Sequence, residues 1–152
     1  MATIIPALST AQISGLSSRT IAGLTTEDWA AFSSDQIVAL TTAQVAAIST
    51  AGVPGLNSDH MLAFQTQDLR AMTTQVMRAF ESDQLNALAS DQVQALTTQQ
   101  VANLTSTQVS TMTTEDLNAL GTQHFATLST QQVASLNSDQ LGALETNDLR
   151  AL

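Results

Sequence analysis

The chain has 152 residues, 43% of them apolar, 3% aromatic and 11% charged, against roughly 25% charged in an average globular domain. Thirteen acids face four arginines, with no lysine and no cysteine, for a formal charge of −9. These numbers exclude a disulfide or thiolate-metal framework. They leave no basic patch for a nucleic acid, and no apolar run approaches the roughly 18 residues that membrane insertion as a helix requires.

The residues fall into nineteen consecutive octads, residues 1–152, with octad n ending at residue 8n. Position 8 is large and apolar in all nineteen, from Leu8 through Phe32, Leu40, Phe64, Phe80 and Leu96 to Leu152. Position 5 is equally apolar, including Trp29, Val45, Val101, Leu117 and Phe125. Position 2 is Ser or Thr in eighteen octads, position 4 is most often Gln, and position 7 is mostly Ala or Gly. The consensus reads [ST]-[ST]-x-Q-[VIL]-x-A-L.

A continuous α-helix turns about 100° per residue, so an eight-residue period drifts by about 80° per unit and never keeps one buried face. In a strand, positions 5 and 8 would point to opposite faces. The pattern therefore predicts an all-α solenoid, a superhelical coil with one short helix of about five to seven residues per octad. Ser or Thr is a strong N-cap, and Gln three residues later completes a capping box. Ser33/Gln36, Thr41/Gln44, Thr97/Gln100, Thr105/Gln108 and Ser129/Gln132 have that spacing, so Ser33, Thr41, Thr97, Thr105 and Ser129 are the predicted caps. The near-invariance of position 2 leaves the cap open by one residue. All thirteen acids lie at positions 1, 3 or 4, and Arg70, Arg78 and Arg150 lie at position 6. That segregation suits the helix dipole and has no rationale in a strand.

Taken in chain order, the first six octads keep the pattern, with Trp29 and Phe32 as the first aromatic core residues. Ala51-Gly52-Val53-Pro54-Gly55 lacks helix formers, and Pro54 would disturb a helix interior, so a kink is expected near 51–57. At Val76-Met77 the polar position 4 turns apolar, predicting an extra buried side chain. From octad 11 to octad 19 the pattern resumes, with Leu96, Val101, Leu117 and Phe125 in the predicted core. All five aromatic residues fall in even-numbered octads, a faint sign of a two-octad unit.

One octad cannot fold alone. Burying two large apolar side chains contributes about 3–6 kcal/mol, whereas ordering eight residues costs on the order of 8–16 kcal/mol. Neighbouring units must share a core, which makes the expected object one cooperative, quasi-one-dimensional array over 1–152.

No catalytic, cofactor or metal site is assigned, and no enzyme activity is expected. His60 and His124 replace the position-4 Gln eight octads apart and read as helix-start substitutes rather than ligands. Glu27-Asp28 and Glu115-Asp116 diverge by about 100° on a helix and lack any calcium-loop spacing. A binding groove should carry a contiguous aromatic or charged stripe, and no such stripe can be assembled from positions 3 and 6.

Units such as Leu40-Thr41-Thr42-Ala43-Gln44-Val45-Ala46-Ala47 and Leu128-Ser129-Thr130-Gln131-Gln132-Val133 resemble the Thr/Gln/Ala/Leu-rich tandem arrays of very large bacterial secreted or surface, adhesin-like proteins. The resemblance implies a non-enzymatic spacer, stalk or scaffold at an extracellular or cell-surface location, with a protein- or peptide-binding solenoid as the alternative. Because the array starts and stops in frame, a segment of a longer array or a consensus-like design is expected, able to stack end to end with other copies through its apolar ends.

Overall fold

A computed structural model describes residues 3–152. Among the described residues the fold is all-α: seventeen short helices, from Thr10–Ser14 to Thr146–Leu149, occupy every octad from 2 to 19 except octad 7. Octads 1 and 7 carry three-residue 3-10 turns instead, Ile5–Ala7 and Val53–Gly55, each with a proline in its first turn. The second turn lies within the 51–57 segment, where Gly52, Pro54 and Gly55 oppose an α-helix. The helices run four to six residues, a little shorter than the spacing predicts.

The cap lies at position 1. Ser33, Thr41, Thr97, Thr105 and Ser129 each accept a hydrogen bond from the backbone N–H three residues on, at 3.1–3.3 Å. Position 2 is therefore the first helical residue. At Ala89 and Gly121, whose side chains hold no acceptor, the return bond survives: their backbone N–H groups donate to Gln92 and His124.

Where the last turn is fully helical, consecutive helices are joined by two extended residues, positions 8 and 1. Phe64 (φ −64°, ψ 132°) followed by Gln65 (φ −73°, ψ 149°) is representative. No described residue has positive φ. The link therefore needs no glycine, which explains how bulky Leu, Phe and Met occupy position 8 throughout.

The helices coil into a superhelix. Each helix packs against the helix three octads further on: octad 5 on octad 8, octad 9 on octad 12, octad 14 on octad 17. Side-chain bonds from position 4 reach 28 and 31 residues back, into the fourth octad before. One superhelical turn thus takes about three and a half octads. The aromatic residues do not mark a two-octad unit, because the packing partner lies an odd number of octads away.

Positions 5 and 8 line the core. Trp29, Phe32, Leu40, Val45, Phe64, Phe80, Leu96, Val101, Leu117 and Phe125 are all buried. Trp29 and Phe32 stack with ring centroids 4.8 Å apart. The coil also has direction. Position 5 is buried through octad 16, but Val133 is half-buried and Leu141 and Leu149 are 36% and 43% exposed in the last turn. At the opposite end, position 4 is exposed in Gln12 and Thr20. Position 4 therefore faces the preceding turn and position 5 the following one.

Candidate functional site

A helix of five residues has more unpaired backbone groups than paired ones, because the first N–H groups and the last carbonyls find no partner within it. The chain solves this with one side chain used twice. In Gln100, Oε1 accepts from the Thr97 N–H at 2.8 Å, closing the cap of its own helix. The same side chain's Nε2 donates to the carbonyls of Leu69 at 2.7 Å and Met72 at 2.9 Å, at the C-terminal end of a helix one turn below. Gln36, Gln44, Gln84, Gln92, Gln108, Gln132 and Gln140 repeat this with carbonyls 31 and 28 residues back. All eight glutamines are buried. The result is an internal ladder that runs parallel to the apolar core and stitches the N-terminus of one helix to the C-terminus of another.

His60 and His124 belong to the same ladder. In His124, Nδ1 accepts from the Gly121 N–H at 3.0 Å while Nε2 lies 2.8 Å from the Leu96 carbonyl. In His60, Nδ1 accepts from the Asn57 N–H at 3.2 Å and Nε2 lies 2.9 Å from the Phe32 carbonyl. This pairing requires the neutral tautomer with its proton on Nε2. Both ring nitrogens are occupied, so neither imidazole offers a free lone pair to a metal. Among the described residues no three His, Asp or Glu side chains gather as a ligand set.

Asp68, Asp116 and Asp148 are also buried at position 4, but a carboxylate is one methylene shorter and carries no N–H. Asp68 accepts instead from the Thr42 hydroxyl at 2.8 Å, and Asp148 from the Thr122 hydroxyl at 2.7 Å, both from the third octad before. The ladder's amide is missing at these steps. Asp68→Gln is therefore expected to add donors to the Ile37 and Leu40 carbonyls and to stabilise the fold by about 1–2 kcal/mol. In a thermal melt that is a rise of about 2–8 °C for a chain of this size; a fall would show that the ladder does not govern stability at this turn.

Beyond the first turn, two octads leave the ladder altogether. Val76 is buried at position 4, adding the extra apolar side chain that its sequence implies. Octad 7 places Gly52 there, and the reason is Trp29 in the octad three before it. A Cβ on Gly52 would fall 2.3 Å from the indole Cδ1 and Nε1, and a Cβ on Gly55 would fall 2.2 Å from the Thr26 carbonyl oxygen. The largest core residue and the two glycines are one compensated feature. Its residual cost is visible, since the buried Trp29 Nε1–H has no acceptor among the described residues.

The acid pairs remain at helix starts. Asp28 accepts from the Thr25 N–H at 3.0 Å and the Thr25 hydroxyl at 2.8 Å. Bonding from the Thr3 hydroxyl, then from Thr25, holds the Asp28 carboxyl below the usual carboxylate range. Its cap is therefore kept above the ordinary aspartate range and lost only as pH falls through the lowered value.

Three-octad stacking does create a pattern on the solvent face that linear spacing hides. It aligns the exposed acids of position 3 into Asp35–Asp59–Asp83 across octads 5, 8 and 11, and Asp91–Glu115–Asp139 across octads 12, 15 and 18. Position 6 follows in the same way. Val38 and Leu62, 47% and 56% exposed, become neighbours across one turn and line a groove of about 320 Å³ with Ser34, Asp35, Asp59 and Ala63. The absence of a stripe, expected from the sequence, is thus corrected: the stripe runs across turns rather than along the chain. Signals at 24-residue spacing in positions 3 and 6 would have revealed it had the number of octads per turn been known.

No helix of the described residues is long and apolar enough to cross a membrane. Comparison with known sequences and structures finds no match to a curated protein or a solved structure. A family model described as the ALTTAQ repeat matches residues 5–42, 30–66, 61–98 and 109–146. Each window exceeds the reach of one ladder bond and contains at least one closed turn: Ile5 to Gln36, Phe32 to His60, Met61 to Gln92 and Val109 to Gln140. On these four matches, which span most of its length, the chain belongs to the ALTTAQ repeat family.

Proposed function

We propose that this array is a non-catalytic structural module, a spacer or scaffold within a larger bacterial surface or secreted protein. The observation that carries the reading is the direction of the ladder. All eight buried position-4 glutamines bond toward the preceding turn, onto position-5 and position-8 carbonyls there, and none bonds toward the following one, so octads add in register without limit. The two histidines, the residues best suited to chemistry, are consumed in that ladder. At the ends of this array the pattern stays open, with Gln12 exposed at one face and Leu141 and Leu149 at the other. Such ends accept further octads, or a second copy in head-to-tail fashion.

Stacked helices lie about 8–10 Å apart, so with three and a half octads per turn the coil rises only about 2.5 Å per octad. The spacer is compact, and its length is set by octad number. Inserting a second copy of residues 89–144, seven octads or two full turns, is expected to lengthen the particle by about 16–20 Å in small-angle scattering. A lengthening near 80 Å, the span of a continuous helix of that size, would overturn the coil. A particle that only swells isotropically would overturn the spacer role. Measuring mass against concentration on the same sample tests head-to-tail stacking, which predicts growth with concentration.

A further inference from the structure

We propose that the groove between the helices Ser34–Val38 and Ser58–Ala63 is a docking site for a cationic-apolar peptide segment of a partner protein, one large aliphatic side chain flanked by lysine or arginine. This rests on the groove alone and is independent of the spacer reading.

Position 6 is the solvent face, and elsewhere it carries Ala, Arg, Asn, Gln, Ser, Gly or Pro. Only at octads 5 and 8 does it carry a large apolar residue in two octads that the coil brings together, Val38 and Leu62. Each of these has an acid three residues earlier, Asp35 and Asp59, which places acid and apolar group on one face of the same helix. The groove therefore has an apolar floor and a carboxylate rim, with Ser34 as a further polar group and Asp83 extending the acidic row by one turn. An aliphatic side chain inserted between Val38 and Leu62 removes both from water, and flanking cations meet Asp35 and Asp59 without new like-charge contacts. A second copy of the chain fits poorly, because both surfaces would be acidic at a formal charge of −9 each. The molecule supplies its own comparison. The open cleft of about 520 Å³ lined by Ser90, Thr114, Glu115, Asn118 and Ala119 has the acid row but no large apolar floor.

The test is a titration of the isotope-labelled chain with a capped Lys-Ala-Leu-Ala-Lys peptide, followed by amide shifts. Shifts confined to residues 34–38 and 58–63 are expected. Leu62→Ser and Asp59→Asn, both at exposed positions, should each weaken binding at least fivefold while leaving the remaining spectrum unchanged. A Glu-Ala-Leu-Ala-Glu peptide should produce no shifts. Equal binding by Leu62→Ser, or equal shifts in the Ser90–Glu115 cleft, would reduce the effect to unspecific charge and overturn the proposal. Shifts in the same residues on concentrating the chain without peptide would assign the groove to a second copy and overturn it as well.

Discussion

Replacing Gln100 by glutamate is expected to destabilise the chain by about 3–5 kcal/mol at neutral pH, although the side chain keeps its size. The carboxylate still accepts from the Thr97 N–H, so the cap is not what fails. The failure is on the other side, where an N–H donor 2.7 and 2.9 Å from the Leu69 and Met72 carbonyls becomes an acceptor facing two acceptors. Gln100 is 2% exposed, so water cannot readily screen the contact. The midpoint should fall by about 6–20 °C in a thermal melt.

Two companions separate this mechanism from simple disruption of the core. Gln100→His should cost only about 1–2 kcal/mol, because His60 and His124 already join their own cap to the carbonyl 28 residues back with the two ring nitrogens, leaving only the carbonyl 31 residues back without a donor. The glutamate variant should also recover stability in acid. A buried carboxyl facing carbonyls is held protonated more readily in the folded state than in the unfolded chain. Its penalty is thus largest above that raised value and shrinks as pH falls toward about 4, the ordinary glutamate range. A glutamate variant as stable as the parent at pH 7, or a histidine variant as damaged as glutamate, would show that the long-range half of the ladder contributes nothing.

That long-range half is what could not be read from the chain alone. Capping boxes are local, because Ser33 and Gln36 are three residues apart and fix each other's geometry within one turn. The apolar period is local too, and it places Val45, Val101 and Leu117 on the inner side of each helix. The reach from Gln100 to Leu69 is set by the number of octads per turn. That number depends on side-chain volumes at positions 5, 7 and 8 acting together across the coil, not on any one spacing. The Val38–Leu62 groove was hidden for the same reason, since 24 residues separate its two halves. His60 and His124 were legible as glutamine substitutes because the amide and the imidazole share a shape: an acceptor on one side and a donor on the other. Once the ladder is known, units relate to one another much as residues do in an α-helix. Each packs on the third neighbour and is bonded to the fourth.

The pocket around Trp29 should be the most sensitive place in the array. Gly55→Ala is expected to cost at least about 3 kcal/mol, because its Cβ would meet the backbone oxygen of Thr26 at 2.2 Å, and a backbone atom cannot turn aside. Gly52→Ala differs in kind. Its Cβ would meet only the indole ring, at 2.3 Å, so the conflict is between two side chains. Trp29→Leu alone leaves a cavity and should cost about 2–4 kcal/mol, partly offset by removal of an indole N–H that has no acceptor among the described residues. Combined with Gly52→Ala, the smaller residue frees the space the methyl needs. Denaturant unfolding of the four chains should then show a coupling of about 1–3 kcal/mol in the direction of rescue. The pair Trp29→Leu with Gly55→Ala should show far less, since the Thr26 oxygen remains in place. Strict additivity of Trp29→Leu with Gly52→Ala would mean that octad 7 avoids an α-helix for a reason unconnected with the tryptophan, and would leave Pro54 as the local cause.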